Sequence, residues 1–175
     1  VNDNTSSTVF DSPVGQLYVR AEAGRLVALS FVDGRRRRVA EVQTGDDASR
    51  AVVNDVESQI QEYFAGSRTA FDVPLKFIGS PFNVRVWEAL RHIPYGKTLA
   101  YGRLAMQIGE PDAARAVGAA NGANPIVIIV PCHRVIGANG RLVGYGGGLE
   151  RKQFLLDLER GPRLSYRSLQ SEHGR

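Results

Sequence analysis

Residues 124–137 read NPIVIIVPCHRVIG. Five consecutive aliphatic residues, Ile126 to Val130, lie between Pro125 and Pro131. The run is too short for a helix and too apolar for a surface loop, so it predicts a buried strand or extended segment ending at Pro131. Cys132 then sits where that segment emerges. It is the only cysteine among 175 residues, which excludes a disulfide scaffold. The thiol is either a buried bystander or a nucleophile. A thiol reacts as thiolate, and an adjacent imidazole or cation favours that form. His133 and Arg134 supply both kinds of neighbour. Neighbours in an extended segment point to opposite sides, so His133 would act indirectly, for instance through a water. Its other ring nitrogen needs an orienting acceptor, and Asp157 and Glu159 are the nearest carboxylates in a chain that folds back on itself. One cysteine and three scattered histidines, His92, His133 and His173, cannot furnish a Cys-rich zinc site, so no metal is expected.

Downstream, residues 137–148 carry six glycines, a loop able to bring backbone N–H groups close to a ligand. A helix over Glu150 to Glu159 is expected to bury Phe154, Leu155 and Leu158 and to stop at Gly161-Pro162. Residues 161–175 read as a loose polar tail. Upstream, Ser80-Pro81 is an N-cap followed by proline at the first helical position. Phe82, Val86, Trp87 and Leu90 line one face of that helix as far as Ile93-Pro94. A second helix is predicted over Leu99 to Ile108, stopped by Gly109. Pro111 is expected to start a third, PDAARAVGAANG. Helix, tight glycine-containing turn and helix make a helix-turn-helix candidate. The third helix is slim, with Ala113, Ala114, Ala116, Gly118, Ala119 and Ala120, and its one long charged side chain is Arg115. Such a helix approaches a protein partner, a DNA groove or its own core equally well.

The N-terminal stretch has the two-residue alternation of strands. Leu17, Val19 and Ala21 form one apolar face, Glu22 to Arg25 offers a turn, and Val27, Leu29 and Phe31 continue in a second strand. Asp11-Ser12-Pro13 marks an earlier turn. Val52, Val53, Val56, Ile60, Tyr63 and Phe64 recur at helical spacing, closed by Gly66. A domain boundary is expected near residue 78. No apolar run reaches the ~20 residues of a membrane span, and the start VNDNTSST lacks a signal-peptide pattern; a cytoplasmic protein is expected. Net charge is +4, unevenly spread. Residues 1–80 carry 9 basic against 11 acidic side chains, and residues 81–175 carry 13 against 7. A polyanion such as nucleic acid would therefore meet the second half, although the imbalance is also within ordinary surface variation. The Arg35–Arg38 run reads as a solvated face.

PCHRVIG, preceded by IPYGKTLAYGRLA and AARAVGAANGANP and followed by GYGGGLERKQFLLDLE, closely resembles the O6-alkylguanine-DNA alkyltransferase family. The likeness runs from Ser80 to Glu159, and the DSPVG start fits as well. It implies an α/β fold, with a small ribonuclease H-like α/β domain over residues 1–78. A mostly helical domain with a helix-turn-helix would follow over 79–160, then a tail over 161–175. It implies direct-reversal repair: transfer of an alkyl group from O6 of guanine in double-stranded DNA, less readily from O4 of thymine, to the protein's own cysteine. Cys132 matches the acceptor, His133 the base acting through a water, and Glu159 the carboxylate that orients it. Tyr101 matches the tyrosine that helps rotate the nucleotide out. Arg115 matches the finger that fills the gap, on a helix whose Ala114, Ala116 and Gly118 approach the DNA minor groove. Asn124 matches the residue bracing the turn. Tyr145 and the backbone of Gly146 and Val135 match pocket positions. Some relatives carry serine where this chain has Gly146. Others bind zinc through N-terminal cysteines and histidines that this chain lacks, so no cofactor is implied. The expected protein is a monomer in solution that reacts once per molecule, with cooperative binding on DNA left open. Two rival readings remain. A binding-only relative would replace the acceptor cysteine, and Cys132 speaks against it. A thiol hydrolase would not need the blocks from Tyr95 to Pro125.

Overall fold

A computed structural model describes residues 4–33 and 42–161. The Arg35–Arg38 run and residues 162–175 of the expected tail lie outside the described residues.

Three antiparallel strands open the chain: β1 (Thr5–Phe10), β2 (Leu17–Glu22) and β3 (Arg25–Phe31), in the order β1-β2-β3. The β2–β3 hairpin turns on Ala23 and Gly24, both at positive φ (47° and 72°), as a two-residue turn matched to strand twist requires. Leu17, Val19 and Ala21 are fully buried as the alternation predicts. Strict alternation fails in β3. A register shift lets Ala21 face Leu26 while Arg20 faces Ala28, so Leu26, Leu29 and Phe31 share the core face. Val27 is the extra residue of this bulge, still buried but out of step.

Helix α1 (Asp47–Phe64) lies across the sheet with Val52, Val53, Val56, Ile60 and Tyr63 buried. Asp46 caps its N-terminus by accepting the Ser49 N–H at 2.8 Å. At its C-terminus Gly66 N–H donates to Tyr63 O and Ser67 N–H to Glu62 O, the paired bonds of a Schellman ending.

The second half is mostly helical. Ser80 caps α2 (Pro81–Leu90) as its sequence predicts, accepting the Asn83 N–H at 3.2 Å. Trp87 Nε1 donates to Ala120 O at 2.8 Å and ties α2 to α4 (Ala114–Gly122). The predicted second helix is shorter than expected. Leu99–Ala100 is an extended pair, β4, parallel to β5 (Val135–Ile136), and α3 covers only Tyr101–Gln107. This pairing sets Tyr101 beside the segment that carries Cys132. Pro111 does not start α4 either. Ala113 N–H donates to Glu110 O at 2.9 Å, so Pro111 and Asp112 form the middle of a turn, where a fixed φ suits the second position. The chain ends its described part in α5 (Leu149–Arg160).

The expected strand at 126–130 is not one. Leu29 N–H donates to Pro125 O and Val127 N–H to Leu29 O, which makes a single bridge to β3. Ile128 then takes φ 70°, and Ile129 N–H donates to Val127 O at 2.8 Å. A β-branched residue at that φ is strained. Asn124 holds the turn from inside: its Nδ2 donates to Val130 O at 2.8 Å and its Oδ1 accepts the Ile126 N–H at 3.0 Å. The aliphatic character is still spent on burial, since Ile126, Ile128 and Val130 are all interior.

Strand β3 is an edge of its sheet, and an open edge invites unwanted pairing. Here Leu26 exchanges bonds with Pro74 and Lys76, and Leu29 with Pro125 and Val127. The edge is thus closed at Leu26 by the segment that leaves the N-terminal domain and at Leu29 by the second half, and one hydrophobic core runs through both. The result is a mixed α/β protein with a small N-terminal sheet domain and a helical C-terminal domain. Among the described residues no helix is long and apolar enough to cross a membrane.

Candidate active site

Cys132 opens a 3-10 turn, Cys132–Arg134, which the extended reading did not anticipate. The thiol side chain is buried, and Asn121 Nδ2 donates to the Cys132 carbonyl at 3.3 Å. A cavity of about 520 Å3 reaches Cys132 and is walled by Asn121, Asn124, Tyr145 and Gly146 from the second half and Phe31 and Asp33 from the first. Burial pushes the thiol pKa up; the Asn124 side chain, the Lys152 charge and the Tyr145 hydroxyl pull the other way. At rest Cys132 is therefore a protonated thiol.

His133 is fully buried on the same turn. Its Nε2 meets Glu159 Oε1 at 2.7 Å, and its Nδ1 has no hydrogen-bond partner among the described residues. Glu159 comes from α5. Arg134 grips it with both arms, Nε to Oε2 at 2.9 Å and Nη2 to Oε1 at 2.8 Å, and its Nη1 donates to Ile93 O at 2.6 Å. Tyr63 of α1 adds its hydroxyl to Oε1 at 2.8 Å. Burial alone would raise the Glu159 pKa, but the hydrogen bonds from His133 and Arg134 bring it down to about 2. A carboxylate that stays ionised can only accept, so the proton shared with His133 belongs to Nε2. Nδ1 then carries the lone pair. Burial, with the charges of Arg134 and Lys152, holds the imidazole below its ordinary pKa against the pull of Glu159. His133 is thus a neutral base with one free acceptor.

The structure thus brings Cys132, His133, Glu159, Asn124, Tyr145 and Gly146 together. Asp157, the other carboxylate considered, accepts from Gln153 Nε2 at 2.9 Å on the same helix. Tyr101 is half-buried at the start of α3; its hydroxyl donates to Val143 O at 3.2 Å and its ring packs within 3.9 Å of where a Gly118 Cβ would stand. Arg115 and Ala116 are exposed on α4, with Ala114 and Gly118 half-buried. Val135 does not line the cavity: it is fully buried, and its carbonyl accepts from Lys152 Nζ at 2.6 Å.

Four residues were missed or misplaced. Arg134 was read as a neighbour of the thiol, yet it serves Glu159. Asn121, Tyr63 and Lys152 were not singled out. Lys152 is fully buried and also donates to Val143 O and Gly144 O, which fastens the glycine loop to β5. The signal was present in α5, where Lys152, Leu155, Leu156 and Glu159 are the buried stripe at helical spacing. Two charged residues in that stripe displace Phe154, which is exposed, and Leu158, which is only partly buried.

The loop itself is pressed against the first half. Arg151 stacks over the Phe31 ring, with 4.6 Å to its centroid, and donates to Val14 O and Asp33. The Phe31 and Tyr145 rings meet in a T-shaped contact with centroids 6.0 Å apart. A Cβ on Gly147 would fall 2.5 Å from the Phe31 ring, so only glycine fits. Gly147→Ala is expected to cost about 1–3 kcal/mol through overpacking. An unchanged denaturant midpoint would contradict this. Among the described residues no group of three His, Cys, Asp or Glu side chains converges as a metal cage.

Two family models match the chain. Residues 81–161 fit the 6-O-methylguanine DNA methyltransferase, DNA binding domain, and residues 6–77 fit the ribonuclease-like domain of the same proteins. A methylated-DNA–protein-cysteine methyltransferase of Mycolicibacterium paratuberculosis is 54% identical over 86% of this chain and 89% of its own length. The constitutive enzyme of Bacillus subtilis is 41% identical over 91% of this chain and 96% of its own. Among solved structures, Mycobacterium tuberculosis OGT in complex with DNA superposes with a TM-score of 0.78 at 49% identity, covering 88% of this chain and 92% of that one. With both halves matched in order, this chain belongs to the 6-O-methylguanine DNA methyltransferase family.

Proposed function

We propose that this protein repairs DNA by moving the alkyl group of O6-alkylguanine, and less readily of O4-alkylthymine, irreversibly onto Cys132. The observation that carries the reading is the sole thiol of the chain at the wall of a cavity of about 520 Å3, one residue from a neutral imidazole anchored on a buried carboxylate.

The chemistry is displacement at a saturated carbon. The Sγ–C bond forms as the C–O6 bond breaks, and the bonding pair leaves on the guanine. The thiol proton passes to His133 Nδ1 through a water; the imidazolium then gives it up to solvent, and the departing guanine anion takes an equivalent proton from solvent at N1. Glu159 keeps the Nε2–H tautomer in place and stabilises the imidazolium while it lasts. The thiolate forms only transiently, in a site whose Asn124, Tyr145 and Lys152 favour the anion. A thioether is a poor leaving group, so each molecule reacts once.

O6 of a stacked guanine is out of reach, so the base must be extruded, and a damaged base resists least. Helix α4 suits this: its small residues let the backbone enter the minor groove while Arg115 fills the vacated stack. The protein acts as a monomer in the cytoplasm, on duplex DNA.

Incubation with a duplex carrying one O6-methylguanine should add one methyl per protein by intact mass, located on Cys132 and absent from Cys132→Ala. Catalytic turnover beyond one equivalent would sink the proposal.

A further inference from the structure

Among the described residues, every donor to Glu159 but one comes from the second half of the chain. Oε1 accepts from His133 Nε2, Arg134 Nη2 and the Tyr63 hydroxyl, and the Gly96 N–H lies 3.5 Å from Oε2. Tyr63 belongs to α1, which packs on the N-terminal sheet and holds no other member of the relay. Its side chain is fully buried, with its ring against Phe64, Phe71 and Tyr95. A phenol aimed from another domain at the one carboxylate oxygen that also holds the histidine does more than fill space. We infer that Tyr63 is a positioning residue for alkyl transfer, through which the N-terminal domain tunes the basicity of His133 by donating to Glu159 Oε1.

The direction follows from counting donors. Each hydrogen bond to a carboxylate stabilises its charge and lowers its pull on the others. Without the Tyr63 hydroxyl, Oε1 would draw harder on His133 Nε2–H and raise the basicity of the ring. Protonated His133 has no lone pair on Nδ1 and cannot take the thiol proton. The other groups facing this pair are fixed in the comparison: Arg134 and Cys132 on the 3-10 turn, Tyr95 before β4, and Lys152 on α5. Only the phenol changes in Tyr63→Phe.

The inference rests on the alkyl-transfer reading, so the test uses two electrophiles. The rate of Cys132 alkylation is followed against pH with free O6-benzylguanine and, separately, with iodoacetamide. In Tyr63→Phe the acid limb of both profiles should move up by about half to one pH unit. A packing defect would lower the rate at every pH and leave the limb in place, and that result overturns the inference. No benzyl transfer by the unmodified protein would instead sink the alkyl-transfer reading, while the iodoacetamide profile would still report on Tyr63. If Tyr63→Phe does not fold, NMR of the unmodified protein decides. The Tyr63 hydroxyl proton should exchange slowly and its shift should follow the His133 titration. A fast-exchanging proton, or one indifferent to that titration, refutes the inference.

Discussion

Arg134→Met should destabilise the folded protein by about 3–5 kcal/mol, because it strands a buried carboxylate without its cation. The Glu159 side chain is 1% exposed, and Arg134 supplies two of its closest bonds. The same change should halt alkyl transfer, since Glu159 would then escape its charge by taking up a proton and would lose its hold on His133. The acid behaviour gives a second check. The folded-state pKa of Glu159, about 2, lies below the ordinary 4.5. Its contribution to stability is therefore complete above the unfolded value and is lost as pH falls from about 4.5 toward 2. The unmodified protein should weaken through that window. Arg134→Met should be hurt most at neutral pH and comparatively little at acid pH, and Arg134→Met/Glu159→Gln should recover part of the loss. Urea unfolding at several pH values measures all three. A midpoint for Arg134→Met unchanged at neutral pH would refute the assignment.

Arg115→Ala should slow repair of duplex O6-methylguanine by about 10–100-fold, while transfer from the free O6-benzylguanine base stays near normal. Extruding a nucleotide costs a few kcal/mol, and each 1.4 kcal/mol is a factor of ten in rate. The side chain is exposed near the start of α4, far from buried work such as that of Arg134, so its loss leaves the fold intact. A single-stranded substrate should show an intermediate loss, because it has less stacking to replace. Equal losses on duplex and free base would refute the finger role. A loss that disappears at low salt on duplex would mark Arg115 as a phosphate contact instead.

How far the sequence carried the reading depends on which physical rule applied. Alternation located Leu17, Val19 and Ala21, and helical spacing located the buried face of α1 and the cap at Ser80. Those rules hold where burial is one-sided and the backbone regular. They missed the bulge at Val27 because an inserted residue is invisible to a count of two. They made a strand of 126–130 because aliphatic composition reports burial, while the Asn124 side chain decides the path. In α5 the expectation that charge stays outside placed Phe154 in the core. Lys152 and Glu159 are inside because each meets partners from elsewhere: the carbonyls of the glycine loop for one, Arg134, His133 and Tyr63 for the other. The pair of His133 and Glu159 was legible only with the family resemblance, since the residues alone left Asp157 as an equal choice. Tyr63 was legible only as an apolar helix position, because its hydroxyl partner lies 96 residues away.

The burial of Cys132 has a meaning for the protein as a stored substance. A molecule consumed by a single reaction spends nearly all its life waiting, and whatever spoils the thiol during that wait removes it as surely as a lesion does. Oxidants and stray electrophiles attack the exposed anion. Here the sulfur is sheltered, protonated at rest, and without a second cysteine in the chain to bond with. The same burial that makes a sluggish nucleophile therefore gives a long shelf life.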